Sequence, residues 1–251
     1  MSDLVGRTVL VTGSTHGIGR AVALELAHAG ARVAVHGRSA LRAEEIASEL
    51  ASQGKLAGRF LADLSSPVEV AELLTTLKRD LPEIDTLVAV AGADVLTGPA
   101  ASWSFERKLD ELWRVDVLST MLLVRGIGGW MRDRAGGSIV TVGWDQSDTG
   151  MEGDSGELFA ATKGAVTAFT RSAAKSLAPH VRVNCVSPGW IRTAWGEGAS
   201  EVWQKRARRE SMLGRWGTPE DIAAAVHWLV SPQAAFLTGQ VVKVNGGFRG
   251  A

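Results

Sequence analysis

The sequence predicts a single α/β domain: a doubly wound, parallel sheet of about seven strands with helices on both faces. Three observations carry this. Short runs rich in Val, Ile and Leu alternate with longer segments of helical spacing along the 251 residues, the order that gives parallel strands joined by crossover helices. The first run ends in a glycine-rich turn that opens a helix, Thr8-Val9-Leu10-Val11-Thr12-Gly13-Ser14-Thr15-His16-Gly17-Ile18-Gly19. No linker, repeat or low-complexity stretch breaks the alternation, so one domain over residues 1–251 is the economical reading.

In chain order, Thr8–Val11 is the first strand and Gly17–Ala29 the helix that follows its turn. Arg32–Val35 and Leu41–Ser52 repeat the pair, as do Gly58–Leu61 and Val68–Asp80. The apolar run Thr86–Val90 is the fourth strand, followed by a long helical segment, Phe105–Arg132. Ser138–Val142 and Gly156–Leu177 come next, then Val181–Val186, the helix Pro219–Val230 and a last strand, Val241–Val244. The least regular long segment, 190–217, holds tryptophans 190, 195, 203 and 216. In such a sheet it overhangs the crevice at the strand carboxyl ends, which suits a substrate lid. An aromatic packing or oligomer surface is the other reading.

Lys+Arg and Asp+Glu both total 27, for a net charge of zero. That argues against nonspecific nucleic-acid binding, which needs a basic face. The lone Cys185 cannot form an intramolecular disulfide and sits in an apolar run, as a small buried residue does. No leader-like start and no membrane-length apolar run is present, so no membrane association and a soluble, cytoplasmic protein are expected. No metal site is expected.

The glycine-rich turn has a specific chemistry. It follows an apolar strand and opens a long helix, the context that marks dinucleotide binding. Glycines permit positive φ and close backbone approach, and the helix N-terminus offers NH groups to a pyrophosphate. At the end of the second strand, Val35-His36-Gly37-Arg38-Ser39 holds no acid for a free ribose 2′-hydroxyl. Arg38 can instead fork onto a 2′-phosphate, with Ser39 adding a hydroxyl donor. NADP(H) is the expected cofactor, although Arg38 could also stack on adenine or cap a helix.

The spacing Thr-Gly-x-x-x-Gly-x-Gly resembles the fingerprint of the short-chain dehydrogenase/reductase family, and the resemblance runs over about residues 5–247. It implies Gly13, Ser14, Thr15, His16, Gly17, Ile18 and Gly19 around the pyrophosphate, with His16 assisting if protonated. Asp63-Leu64 matches the adenine contact. Ala91-Gly92 matches the end of an Asn-Asn-Ala-Gly motif whose asparagines are here Ala89 and Val90. Pro188-Gly189-x-Ile191-x-Thr193 resembles the segment that holds the nicotinamide carboxamide. Gly214–Asp221 and Thr238 to Gly247 resemble the 3-oxoacyl-acyl-carrier-protein reductase branch. Homotetramers or dimers are implied too, through Phe105–Arg132, Gly156–Leu177 and a C-terminal surface with Phe236 and Phe248.

The catalytic set departs from that family. Its Tyr-x-x-x-Lys signature reads Phe159-Ala160-Ala161-Thr162-Lys163 here, and the chain contains no tyrosine. A helix puts residues four apart on one face, where an ammonium lowers the pKa of a phenol. A phenyl ring has no proton to give. Lys163 keeps its implied contact with the nicotinamide ribose. Asp116, in Val115-Asp116-Val117, stands for the family's Asn. Continuing the fifth strand puts Trp144 at the usual serine, whereas counting back from Phe159 gives Gln146. The mismatch implies about two extra residues in the loop 144–156, with Ser147 a third candidate.

Two main readings remain. In one, Trp144, Asp145 and Gln146 form a replacement set, with Asp145 as acid/base, Gln146 as donor and Trp144 stacked on the nicotinamide or substrate. The protein is then an NADP-linked oxidoreductase of atypical mechanism, acting on a small carbonyl or alcohol, or a planar ring. In the other it is a non-enzymatic NADP-binding sensor or scaffold. A lyase or isomerase is a weaker third.

Overall fold

The computed structural model describes residues 3–134 and 136–249. Its strands are β1 (Thr8–Thr12), β2 (Arg32–Gly37), β3 (Leu56–Leu61), β4 (Thr86–Ala89), β5 (Gly137–Val142), β6 (Val181–Pro188) and β7 (Val241–Val244). All pair in parallel, in the order β3-β2-β1-β4-β5-β6-β7. The helices are α1 (Gly17–His28), α2 (Ala40–Ser52), α3 (Pro67–Asp80), α4 (Phe105–Leu112), α5 (Ser119–Arg132), α6 (Asp154–Leu177), α7 (Ala194–Gly198), α8 (Glu201–Glu210) and α9 (Pro219–Val230).

β1 lies mid-sheet and is buried throughout. Alternation divides its side chains between two cores. Val9 and Val11 pack with Val22 and Leu26 of α1, Ile46 and Leu50 of α2, and Val226 and Leu229 of α9. Leu10 packs on the opposite face with Leu73 and Leu77 of α3, Leu123 and Ile127 of α5, and Leu177 of α6. Short polar side chains start the helices. Ser39, Ser66 and Ser104 each accept a hydrogen bond from the backbone NH of the third residue of α2, α3 and α4, and Thr218 forms a capping box with Asp221 on α9. A cap of this kind is worth about 1 kcal/mol.

All seven expected strands and the helices are present, with one correction. The segment expected as one long helix, Phe105–Arg132, is interrupted by a π-helical stretch, Trp113–Leu118. Its wider turns keep the apolar spacing nearly helical, so the sequence pattern does not betray it. Cys185 is fully buried. Among the described residues no helix is long and apolar enough to cross a membrane.

The strand order reverses between β1 and β4. A crevice opens at the carboxyl ends of strands flanking such a switch point.

Candidate active site

The turn after β1 is built for close backbone approach. Gly13 has φ +65°, and a Cβ there would lie 2.8 Å from the Cα of Ala91, at the end of β4. A Cβ on Gly19 would fall 2.2 Å from the Gly13 carbonyl oxygen. Thr12 Oγ1 accepts from the NH groups of Val90 and Ala91, each at 3.1 Å, which ends β4 and fixes Ala91-Gly92 beside the turn. The N-cap of α1, His16, makes no side-chain capping bond, so that helix start is left to another acceptor.

Two residues with no role assigned from the sequence hold or flank this turn. His36 is buried, and its Nδ1 accepts from Gly13 NH at 3.2 Å while its own NH donates to Ser14 Oγ at 2.9 Å. Burial depresses its pKa to about 4, so it is neutral and able to accept. Its signal was only a polar residue at the end of an apolar strand. The second is Arg42, on the first turn of α2 beyond Arg38 and Ser39. One expectation needs correcting here: the surroundings of His16 oppose its protonation. Desolvation lowers its pKa first, then the positive charges of Arg42 and Arg38. The cations beside the turn are therefore the two arginines. Arg38 is exposed and only 3.8 Å from Asp63 Oδ2, a weak pairing that leaves its fork open. Ser39 caps α2, and Asp63 accepts from Ser65 NH at 2.9 Å, while Leu64 is buried.

The π-helical stretch delivers Asp116 to the crevice. Its carboxylate is buried; Oδ1 accepts from Ala93 NH at 2.8 Å and Oδ2 lies 2.7 Å from Lys163 Nζ. Lys163 also reaches the carbonyl of Val142, the last residue of β5, at 3.4 Å. One turn before Lys163, Phe159 meets Trp144 edge to face, with ring centroids 6.4 Å apart at 65°. An aromatic pair thus occupies the expected tyrosine position, Phe159, and Trp144, one of the three candidates for the serine position.

The loop after Trp144 carries two buried polar side chains. Asp145 Oδ2 accepts from Asn245 Nδ2 at 2.9 Å, and its NH donates to Pro188 O at 3.1 Å. Oδ1 of Asp145 and Nε2 of Gln146 have no hydrogen-bond partner among the described residues. Burial raises the Asp145 pKa to about 6, against the opposing Asn245 hydrogen bond and Lys243 charge. Asp145 forms no hydrogen bond or ion pair with Lys163 or Asp116; it faces Gly189 and the start of the C-terminal tail. Ser147 donates to Trp144 O at 2.7 Å within its own turn.

The segment after β6 begins at Pro188-Gly189, with Ile191 buried and Thr193 at the N-terminal boundary of α7, without a side-chain cap. A methyl of Thr193 lies 3.9 Å from where a Cβ of Gly17 would stand, so the segment touches the glycine turn. Beyond it, Trp190, Trp195, Trp203 and Trp216 cluster with ring centroids 5.5–6.1 Å apart, Trp190 and Trp195 stacked and the other pairs tilted or edge to face. Among the described residues no cluster of His, Cys, Asp and Glu is placed to hold a metal ion.

Comparisons with known proteins agree with this geometry. Residues 13–249 match the sequence family described as enoyl-(acyl carrier protein) reductase. The chain is similar to the 3-oxoacyl-[acyl-carrier-protein] reductase of Aquifex aeolicus, 35% identical over 97% of this chain and 98% of that one. It is similar to a gluconate 5-dehydrogenase from Burkholderia cenocepacia solved with NADP and tartrate, at 26% identity and TM-score 0.87, covering 98% of this chain and 96% of that one. It is also similar to a 3-oxoacyl (acyl-carrier-protein) reductase from Agrobacterium tumefaciens with NADP bound, at 29% identity and TM-score 0.87, covering 98% and 95% of the two chains.

Proposed function

The chain belongs to the short-chain dehydrogenase/reductase family, and on that premise we propose that it is an NADP-linked oxidoreductase whose proton handling has passed from a phenol to buried carboxyl groups. The observation that carries this is the Lys163–Asp116 pair, 2.7 Å apart with side chains 12% and 1% exposed. A buried ion pair is weak evidence for stability, because desolvation offsets its attraction. Charged groups held at such a cost in a crevice are where chemistry is expected. A scaffold that only bound cofactor could use Asp116 to hold Lys163, but it would have no such use for a second buried acid, Asp145.

Bound in the crevice, NADPH would supply the hydride. The glycine turn and uncapped start of α1 suit its pyrophosphate. Arg38 and Arg42 suit a 2′-phosphate, with Ser39 beside them. Asp63 and Leu64 would border the adenine. Pro188, Gly189, Ile191 and Thr193, at the end of β6, and Ala91-Gly92, at the end of β4, would frame the nicotinamide. Lys163 would orient its ribose, held in place by Asp116. Asp145, with a raised pKa and one open oxygen, would store and return the proton; Gln146 would donate to the substrate. The Trp144–Phe159 pair favours a planar ring, or a small carbonyl or alcohol presented flat, with 190–217 as lid in a one-domain protein. Phe236, fully exposed, and the exposed Trp113 beside α4 support a dimer or tetramer, a self-complementary arrangement usual for such chains.

The test is a screen of carbonyl, alcohol and planar-ring compounds followed by NADPH absorbance. Turnover that falls at least about tenfold in Asp145→Asn, with NADPH affinity unchanged, supports the reading. NADPH binding without turnover of any compound would favour the sensor alternative instead.

A further inference from the structure

We propose that Glu152 and Arg206 form a latch that holds α7 and α8, with their tryptophans, against the loop following β5, beside the crevice. The proposal rests on reading that crevice as the reaction site. It concerns positioning residues, because neither side chain touches the groups assigned to the chemistry.

The latch has an inner and an outer half. In the inner half, Glu210 is almost fully buried, and its Oε2 accepts from Trp190 Nε1 at 2.8 Å. Its Oε1 accepts from Arg206 Nε at 2.7 Å, one turn away on α8. The same guanidinium lies over the rings of Trp203 and Trp190, at 5.2 and 6.0 Å. A charged hydrogen bond away from water and a cation over aromatic faces are both strengthened by desolvation. This half binds α8 to Trp190 firmly.

The outer half crosses to a different part of the chain. Arg206 presents its two terminal nitrogens to Glu152, at 2.6 and 3.2 Å, in a bidentate fork. Glu152 lies on the loop that starts with Trp144, Asp145 and Gln146 and ends at α6, which carries Phe159 and Lys163. Its side chain is 77% exposed. Water and salt weaken such a bridge, and an exposed pair is the first contact to open.

The base of the segment is fixed independently. Gly217 NH donates to Trp190 O and Arg192 NH to Gly217 O, both at 2.9 Å. After α8, Met212 and Leu213 NH groups donate to Gly247 and Gly246. Between these anchors, α7 and the start of α8 reach the rest of the molecule through the tryptophan cluster and the Arg206 fork. Breaking the exposed bridge would therefore loosen this part from the 144–156 loop, while the tryptophan cluster and the neck keep it attached. The extra length of the 144–156 loop acquires a role: it carries Glu152 out to the lid.

Hydrogen–deuterium exchange of the full-length protein, with and without NADPH, tests this. Glu152→Gln should speed exchange over 194–210 by about two- to fivefold, the range of an exposed ion pair, and leave α1 and α9 unchanged. Glu152→Asp, which keeps the carboxylate, should recover part of the protection. About 1 M salt should speed the same peptides in the natural protein and add little in Glu152→Gln. Release of NADPH, followed through tryptophan-excited fluorescence, should accelerate by a similar factor. Equal exchange in natural protein and Glu152→Gln, or an equal salt response in both, overturns the latch. If the protein binds no NADPH, the cofactor reading falls while the exchange measured without it still decides the latch.

Discussion

Asp145→Asn separates a functional acid from a structural one. The carboxyl is buried with one oxygen unbonded, and its pKa is raised from 3.8 to about 6. Between those values the folded chain holds a proton that the unfolded chain has released. Stability therefore falls as pH rises through this window, and the loss is complete above about pH 6. A difference of about two units corresponds to about 3 kcal/mol. Asparagine keeps the shape and the bond to Asn245 and carries no charge. The variant should therefore be more stable than the natural protein at about pH 7.5, by up to about 3 kcal/mol, and unchanged near pH 4. In a chain this long that is a Tm increase of up to about 6–12 °C. Urea unfolding at both pH values, with the slope checked for constancy, measures it. The same variant should lose at least about tenfold in kcat on a true substrate. A variant that gains no stability at the higher pH, or gains equally at both, refutes the buried-acid argument.

Three other outcomes follow from the site. Asp116→Ala leaves the Lys163 ammonium buried without its partner and should cost about 3–5 kcal/mol; Lys163→Met in that background should recover part of it, and strict additivity in the double-mutant cycle would contradict the pairing. NADPH should bind at least about tenfold more tightly than NADH by calorimetry, a gap of about 1.4 kcal/mol that Arg38→Ala narrows and Arg38→Ala with Arg42→Ala removes; equal binding of the two by the natural protein contradicts it. His36 acts with the opposite sign to Asp145. Its pKa is depressed by burial from 6.5 to about 4, so its contribution is full above about pH 6.5 and lost as pH falls towards 4. In the Asp145→Asn background, unfolding should show this acid limb, about 3 kcal/mol deep, and a flat profile there would count against the neutral His36–Gly13 bond.

Most of the fold was legible because strand and helix periods differ and the glycine turn has one structural use. What escaped the sequence was whatever depended on distance in space. The π-helical stretch keeps an apolar pattern that reads as helix, so the inward turn of Asp116 onto Lys163 had no local sign. Arg42 reads as one more surface charge on α2 until the fold brings it near His16. Asn245 was noticed only as part of a C-terminal motif, although it is the hydrogen-bond partner of Asp145. Four tryptophans pointed to an unusual segment, but the Glu152–Arg206–Glu210 chain joins residues far apart in sequence. The loss of the phenol, by contrast, is a fact of composition and needed no structure.

Hydride transfer without a tyrosine is the step on which the proposed function depends. It is tested most directly with NADPH deuterated at the transferred position, incubated with the substrate panel and followed by mass analysis of the products. One deuterium per product is expected from the natural protein, at least about tenfold less from Asp145→Asn, and little gain from Phe159→Tyr, because Trp144 still packs against that position. Ketone reduction that Phe159→Tyr alone restores by orders of magnitude, with Asp145→Asn unimpaired, would contradict it.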